Sequence, residues 1–206
     1  ITIPEGVTSI GNAAFYGCDA LNEVIFSDSV TTLENSVCYD CKALKKVTIG
    51  PSLVSINDAC FRNCPIEKAT IPAIACKYIK NNHLKSLTIN HGEIPTSAFQ
   101  TVTSLESLNI LNGVTSIGRY AFYECSNLSD VSIADSVISI EPLAFSYCSS
   151  LKNITIPKDV ERLEDFLFYN CTSLESISIA SSKKSLPNSI YISYKILLKK
   201  SLYLSI

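Results

Sequence analysis

Cysteine recurs in this chain at a fixed stride: Cys18, Cys41 and Cys64 lie 23 residues apart, and Cys125, Cys148 and Cys171 repeat that spacing. Other residues keep step. A Phe stands three positions before the Cys at Phe15, Phe61, Phe122, Phe145 and Phe168, with Cys38 in that slot of the second unit. Leu21, Leu44, Ile66, Leu84, Leu105, Leu128, Leu151 and Leu174 open successive units, after a headless unit at Ile1 to Ala20. The phrase SIGNAAFYGC (9–18) returns almost unchanged as SIGRYAFYEC (116–125). The gap from Cys64 to Cys125 is only 61 residues, so its three units are shorter. A catalytic motif needs to be written once, whereas a phrase written in every unit is a building block.

Each unit is too small to bury its own apolar side. Leu105, Leu108, Ile110, Val114, Ile117, Ala121 and Phe122 all have to point inward within one unit. Burying each is worth roughly 1.5–3 kcal/mol only if the units above and below cover it. Repeats of about 20–29 residues with this leucine spacing read as a leucine-rich-repeat solenoid, an α/β-type repeat. The stretches SLNIL, DVSIA, NITIP and SISIA alternate apolar and polar and read as short strands. Stacked in parallel about 4.8 Å apart, some nine coils of roughly 23 residues make a curved rod about 40 Å long. Its concave side is the sheet, and its convex side is loop, turn or short helix.

The expected domain boundaries are 1–182 for one continuous solenoid, with irregular coils over 66–104. A divergent tail at 183–206 would form a last coil or cap, Leu202, Leu204 and Ile206 alternating as in a strand. Ile1 and Ile3 belong to a half-coil, and uncapped coil ends can join end to end, so self-association is among the expectations. The chain opens on Ile1 and has no Met, and it reads as a piece of a longer protein.

Composition narrows the function classes. Apolar residues make up 47% and charged residues 17%, which suits a folded chain. The net charge of −2 comes from scattered groups, giving no basic stripe for nucleic acid or a membrane surface. No run of about 18 apolar residues is present to span a bilayer. The C-terminal stretch that comes nearest is broken by Lys195, Lys199 and Lys200.

The units follow L-x-x-V/L-x-I-P-x-x-V-x-x-I-x-x-x-A-F-x-x-C-x-x, as in LKKVTIGPSLVSINDACFRNC and LKNITIPKDVERLEDFLFYNC. This pattern resembles the BspA-like, or Treponema-type, leucine-rich repeat, over about residues 1 to 180. The resemblance implies a non-enzymatic, surface-exposed or secreted protein-interaction module. It also implies adhesin-like binding to host-cell or extracellular-matrix proteins.

Residues with chemical potential have structural explanations close at hand. Cys38, Cys41, Cys60 and Cys64 have the look of a zinc or thiol site, because four thiolates can close a tetrahedron. The repeat register already accounts for them, in the Phe slot (Cys38), the Ala slot (Cys60) and the Cys slot (Cys41 and Cys64). Successive ladder cysteines are near enough to bridge, yet parallel side chains in register do not aim their sulfurs at each other. Nine cysteines also leave one unpaired, so a row of reduced thiols facing the convex backbone is expected. His83 and His91 are the only histidines and have no neighbouring nucleophile or acid. No phosphate loop, paired-carboxylate motif or nucleophile elbow appears, so neither enzyme activity nor a metal or other cofactor is expected. The sequons at Asn127, Asn153 and Asn170 are no more than chance would give.

A partner would meet the concave sheet, at the outward positions of the strands. One row there holds Thr2, Ile25, Thr48, Thr70, Thr88, Asn109, Ser132, Thr155 and Ser178. A second, two residues earlier, holds Glu23, Lys46, Lys68, Ser86, Ser107, Asp130, Asn153 and Ser176. Ile25 and Leu111 are the apolar handles on this face. The rows have no Arg or aromatic of the kind that dominates interface hot spots, which also allows a plain spacer for a missing domain. Tyr16, Tyr39, Tyr123 and Tyr169 form a convex stripe directly after the Phe slot. The irregular middle is the third candidate surface, with Ile74, Tyr78 and Ile79 at helical spacing and Lys68, Lys77 and Lys80 nearby.

Overall fold

The structure is a computed structural model, and it describes residues 1–179. The expected tail at 183–206 lies outside the described residues. In chain order the first strands are β1 (Thr2–Ile3), β2 (Ser9–Ile10), β3 (Glu23–Phe26), β4 (Thr32–Leu33), β5 (Lys46–Ile49), β6 (Ser55–Ile56) and β7 (Lys68–Ile71). A 3-10 turn (Ala73–Ala75) and the helix α1 (Cys76–Ile79) follow. Next come β8 (Ser86–Ile89), β9 (Gly92–Ile94), β10 (Ser107–Ile110), β11 (Val114–Ile117), β12 (Asp130–Ile133), β13 (Ser139–Ile140), β14 (Asn153–Ile156) and β15 (Ser176–Ile179).

These strands make a parallel solenoid. The concave sheet runs β1-β3-β5-β7-β8-β10-β12 and resumes as the pair β14-β15. Shorter ladders, β2-β4-β6 and β9-β11-β13, flank it on a second side. The nine concave strands bound eight turns, close to the nine coils expected from the period. The registers pair Glu23 with Lys46, Lys46 with Lys68, Lys68 with Ser86, Ser86 with Ser107 and Ser107 with Asp130. The steps are therefore 23, 22, 18, 21 and 23 residues, which locates the three short coils.

The core is one continuous column. The coil read above as a core unit buries Leu105, Leu108, Ile110, Val114, Ile117, Ala121 and Phe122. The Ala-Phe wedge fills the convex side, where Phe99, Phe122, Phe145 and Phe168 stack with ring centroids 5.8, 5.4 and 6.1 Å apart. Phe99 belongs to this ladder because Ala98-Phe99 keeps the wedge, although Val102 has replaced the Cys.

A third ladder of backbone hydrogen bonds runs along the convex turns. Thirteen non-glycine residues there have positive φ, in two slots per coil. Ala13, Ser36, Ala59, Ser97, Tyr120, Leu143 and Phe166 fill the first, and Asp40, Asn63, Thr101, Glu124, Tyr147 and Asn170 fill the second beside Gly17. Left-handed residues four apart bracket each turn, within which every other N–H points along the solenoid axis. Ala13, Phe15 and Gly17 accordingly donate to the carbonyls of Asn35, Val37 and Tyr39 in the next coil, at 2.9, 2.8 and 2.9 Å. Ser97, Phe99 and Thr101 repeat this to Arg119, Ala121 and Tyr123 at 2.8, 2.7 and 2.8 Å.

The 18-residue step breaks that pattern. Its coil replaces the Ala-Phe turn with the 3-10 turn and α1, which bury Ala75, Cys76 and Ile79 and leave Ile74 exposed. The helical spacing seen in the sequence is real. Lys77 and Lys80, however, lie on the convex side while Lys68 sits in the concave β7, so the three lysines do not form one patch. Pro72 also interrupts the concave ladder, because it has no N–H to offer the Ile49 carbonyl as its equivalents in other coils do. The side chain of Asn90 takes over that role, with Nδ2 donating to the Ile49 oxygen at 2.9 Å.

Candidate functional site

Strand pairing brings the outward residues of the concave sheet into line. Thr2 pairs with Ile25, Ile25 with Thr48, Thr48 with Thr70, Thr70 with Thr88, Thr88 with Asn109, and Asn109 with Ser132. Thr155 pairs with Ser178 beyond the break. The row is thus a physical stripe, about 29 Å long over its seven paired strands. Thr2, Asn109, Ser132 and Thr155 are exposed, while Thr48, Thr70, Thr88 and Ser178 are half-buried by their neighbours. Ile25 is half-buried rather than open, because Thr2 and Thr48 flank it on adjacent strands. Leu111 is 37% exposed and sits one residue beyond β10, at the rim of the face.

The second row is also in line and partly bonded to itself. Lys46 Nζ meets Glu23 Oε1 at 2.7 Å, and Ser176 Oγ donates to Asn153 Oδ1 at 2.6 Å. Exposed pairs of this kind contribute about 0–1 kcal/mol each. They leave a polar, hydroxyl- and amide-rich face that can exchange hydrogen bonds with a partner.

One discontinuity was not legible in the sequence. Among the described residues no strand pairing joins β12 to β14. A cleft of about 240 Å³ opens there, lined by Ser129, Asp130, Val131, Asn153, Thr155 and Ser176 among others. Val131 and Ile133 are consequently only half-buried, unlike their counterparts in the neighbouring strands. Pro157, just after β14, removes one N–H from this step. The convex side stays joined, with Phe145 and Tyr147 donating to Leu167 and Tyr169 at 3.2 and 2.7 Å.

The convex thiols face backbone, as the register implied. Cys41, Cys125, Cys148 and Cys171 aim Sγ at the carbonyls of Phe15, Phe99, Phe122 and Phe145, at 3.0, 3.3, 3.3 and 3.1 Å. Cys64 does the same to Cys38 at 2.9 Å, and Cys60 reaches Glu34 at 2.8 Å. Thiols that meet three different carbonyls do not converge on an ion. Among the described residues no group of three or more His, Cys, Asp or Glu is arranged to hold a metal. Burial pushes the thiols of Cys64, Cys125 and Cys171 up to about 12 and raises those of Cys38 and Cys148 as well, which keeps them protonated and unreactive. All nine cysteines are free, and Cys18 is exposed.

The tyrosine stripe divides in two. Tyr16, 56% exposed, stacks on Tyr39 at 5.2 Å. Farther along, Tyr120, Tyr123, Tyr147 and Tyr169 form an aromatic chain with centroids 5.5, 5.2 and 5.4 Å apart. Tyr147 joins it from the second left-handed slot, so sequence register alone did not include it. His83 and His91 are exposed in the irregular coils, and among the described residues no helix is long and apolar enough to cross a membrane.

Comparison with known proteins agrees with this architecture. Residues 1–90 and 73–198 match the family described as BspA type leucine rich repeat region, in six copies. No curated protein is similar enough to count as a relative. Among solved structures, the chain is similar to a leucine-rich repeat protein of Bacteroides ovatus at 25% identity and a TM-score of 0.47, covering 88% of this chain and 56% of that one. It is also similar to the T. pallidum leucine rich repeat protein, at 23% identity and a TM-score of 0.45, over 88% of this chain and 71% of that one. A leucine rich cell surface protein of Faecalibacterium prausnitzii shares 28% identity at a TM-score of 0.45, over 88% of this chain and 47% of that one. The chain therefore spans about half the length of the Bacteroides and Faecalibacterium proteins. With the family model matched over residues 1–90 and 73–198, the chain belongs to the BspA-type leucine-rich repeat family.

Proposed function

We propose that this chain is a non-enzymatic protein-interaction module that binds its partner on the concave sheet. In this reading it acts at the cell surface or after secretion, as an adhesin-like segment recognising a host-cell or extracellular-matrix protein. The observation that carries it is the in-register stripe from Thr2 to Ser132, polar except at Ile25, held on a continuous parallel sheet. A stripe about 29 Å long is the length of a standard protein interface. Since its side chains are small and no aromatic anchor is present, many coils share the binding and each contributes little.

The test is capture of soluble matrix proteins and intact host cells by the immobilised chain. The comparison is with a Thr48→Glu, Thr88→Glu, Thr155→Glu variant. These three lie on strands that do not adjoin, so the new charges do not repel each other across one pair. A variant that melts like the parent yet binds at least about tenfold more weakly places the partner on this face. Equal binding by both chains refutes the concave site. No capture by either favours the alternative, a spacer that displays another domain.

A further inference from the structure

The convex ladder has a gap where its donors face no carbonyl. In a regular coil the N–H groups of the first left-handed slot, the Phe slot and the second left-handed slot donate to the next coil. The equivalents in the third coil are Ala59, Phe61 and Asn63, with φ of 62° at both Ala59 and Asn63. The coil that follows is the shortened one, which puts α1 where the accepting turn would be. Among the described residues these three N–H groups have no acceptor. A groove of about 880 Å³ lies in front of them, walled by residues 59–65 on one side and by Lys77, Tyr78 and 80–83 on the other.

Left-handed residues at both ends of the turn, Ala59 and Asn63, hold these three N–H groups in a row that points into the groove, and unpaired N–H groups favour an anionic acceptor, whose hydrogen bonds are stronger than a neutral one's. The rim has matching charge, since Lys42, Arg62, Lys77 and Lys80 all line the groove and no carboxylate does. The nearest acids are mostly engaged. Asp40 accepts from Lys42 and Asn63, Glu67 from Lys45, while Asp58 flanks Lys77. Arg62, Lys77 and Lys80 make no ion pair among the described residues. On the other side of α1 the unmet backbone groups are acceptors: a second groove, which Lys77 and Lys80 also border, is lined by Thr96 and Ala98, whose carbonyls, together with that of Gln100, have lost the donors that a regular fourth coil would supply.

We propose that the groove between the third coil and α1 binds the sulfate or phosphate groups of an anionic ligand, whose oxygens accept from the N–H groups of Ala59, Phe61 and Asn63 in place of the missing carbonyls, with Arg62, Lys77 and Lys80 supplying the counter-charge. The groove is much larger than a bare ion, and Asn81 and Asn82 add amides to its wall, so the group is carried on a polar ligand of sugar size. Nucleic acid fits less well, because Tyr78 is the groove's one tyrosine for a base to stack on and Lys77 Nζ already lies over its ring, 4.5 Å from the centroid.

The test is an amide NMR titration at about 0.1 M ionic strength, where screening is already substantial. The titrants are sodium phosphate, sodium sulfate, a sulfated heparin disaccharide and its desulfated counterpart. The expected result is saturable movement of the Ala59, Phe61 and Asn63 signals with the sulfated disaccharide. The signals of Phe15, Phe99 and Phe122, whose N–H groups are bonded to the next coil, should stay in place. An Arg62→Gln, Lys77→Gln, Lys80→Gln variant should bind at least about tenfold more weakly. A Lys85→Gln, Lys152→Gln, Lys158→Gln control with the same charge change should bind within about twofold of the parent. Saturation by the free ions at similar strength supports the oxyanion site and names the free ion as its source. The proposal is overturned by equal response to the desulfated sugar, by equal loss in the control variant, or by no movement of the three amides.

Discussion

Thr101 holds φ at 63° with a β-branched, exposed side chain, in a slot where other coils place Gly17, Asp40, Asn63 and Asn170. The left-handed region costs an ordinary residue about 1–2 kcal/mol, and glycine avoids that strain at some cost in chain entropy. Thr101→Gly should therefore raise stability by about 1 kcal/mol in urea unfolding, the backbone bond to Tyr123 being kept. Asn90 makes the converse case. Asn90→Ala leaves the Ile49 carbonyl without the donor that Pro72 cannot supply, and should cost about 1–3 kcal/mol in the same assay. The buried thiols add a dependence on pH. Cys64, Cys125 and Cys171 are pushed up to about 12 by burial, whereas an unfolded thiol ionises near about 8.5. The folded chain thus keeps protons that the unfolded chain releases. The thiol contribution is complete below about pH 8.5 and is lost as pH rises toward about 12, each thiol removing roughly 1.4 kcal/mol per pH unit. Melting under reducing conditions should show a flat Tm up to about pH 8 and a steep fall above about pH 9. At neutral pH a thiol reagent should label Cys18 at once and the other eight only on unfolding.

Among the elements, the convex Phe column ties successive coils together. Phe122 stacks between Phe99 and Phe145 with centroids 5.8 and 5.4 Å away and is fully buried. Phe122→Ala should cost about 3–5 kcal/mol by chemical denaturation. Phe15→Ala should cost less, because Phe15 is only half-buried. Much of this layer could be read from the sequence. Strand alternation gave the outward rows residue by residue, since a period of two and a fixed coil length leave one register. The Ala-Phe-x-x-Cys turn gave the core wedge and the thiol row. Phe99 escaped because recognition leaned on the Cys, and Val102 occupies that slot without disturbing the packing. The break between β12 and β14 escaped for another reason. It depends on how two coils seat against each other, and DVSI and NITI are equally good strands on their own.

At the largest scale, the described residues make eight turns in one column, and each coil is stable only through its neighbours. The shortened coil keeps the concave sheet continuous through β7, yet on the convex side it replaces a turn with α1 and interrupts the Phe column between Phe61 and Phe99. The sequence carried the shortening as a gap of 61 residues between Cys64 and Cys125. It did not reveal that the missing residues come from the convex side, because that follows from which hydrogen bonds the coil retains. The solenoid therefore has a concave face that is regular from β1 to β12, the proposed partner surface, and a notched convex face with exposed amides and cations. The most direct test of the central claim is side-chain footprinting by hydroxyl radicals, applied to the chain with and without the matrix or host protein that it captures. Protection of Ile25 and Leu111, with Tyr16 and Tyr169 labelled as before, is the result expected for a partner on the concave sheet. Protection of the tyrosines with Ile25 and Leu111 unchanged would put the partner on the convex side and contradict the account.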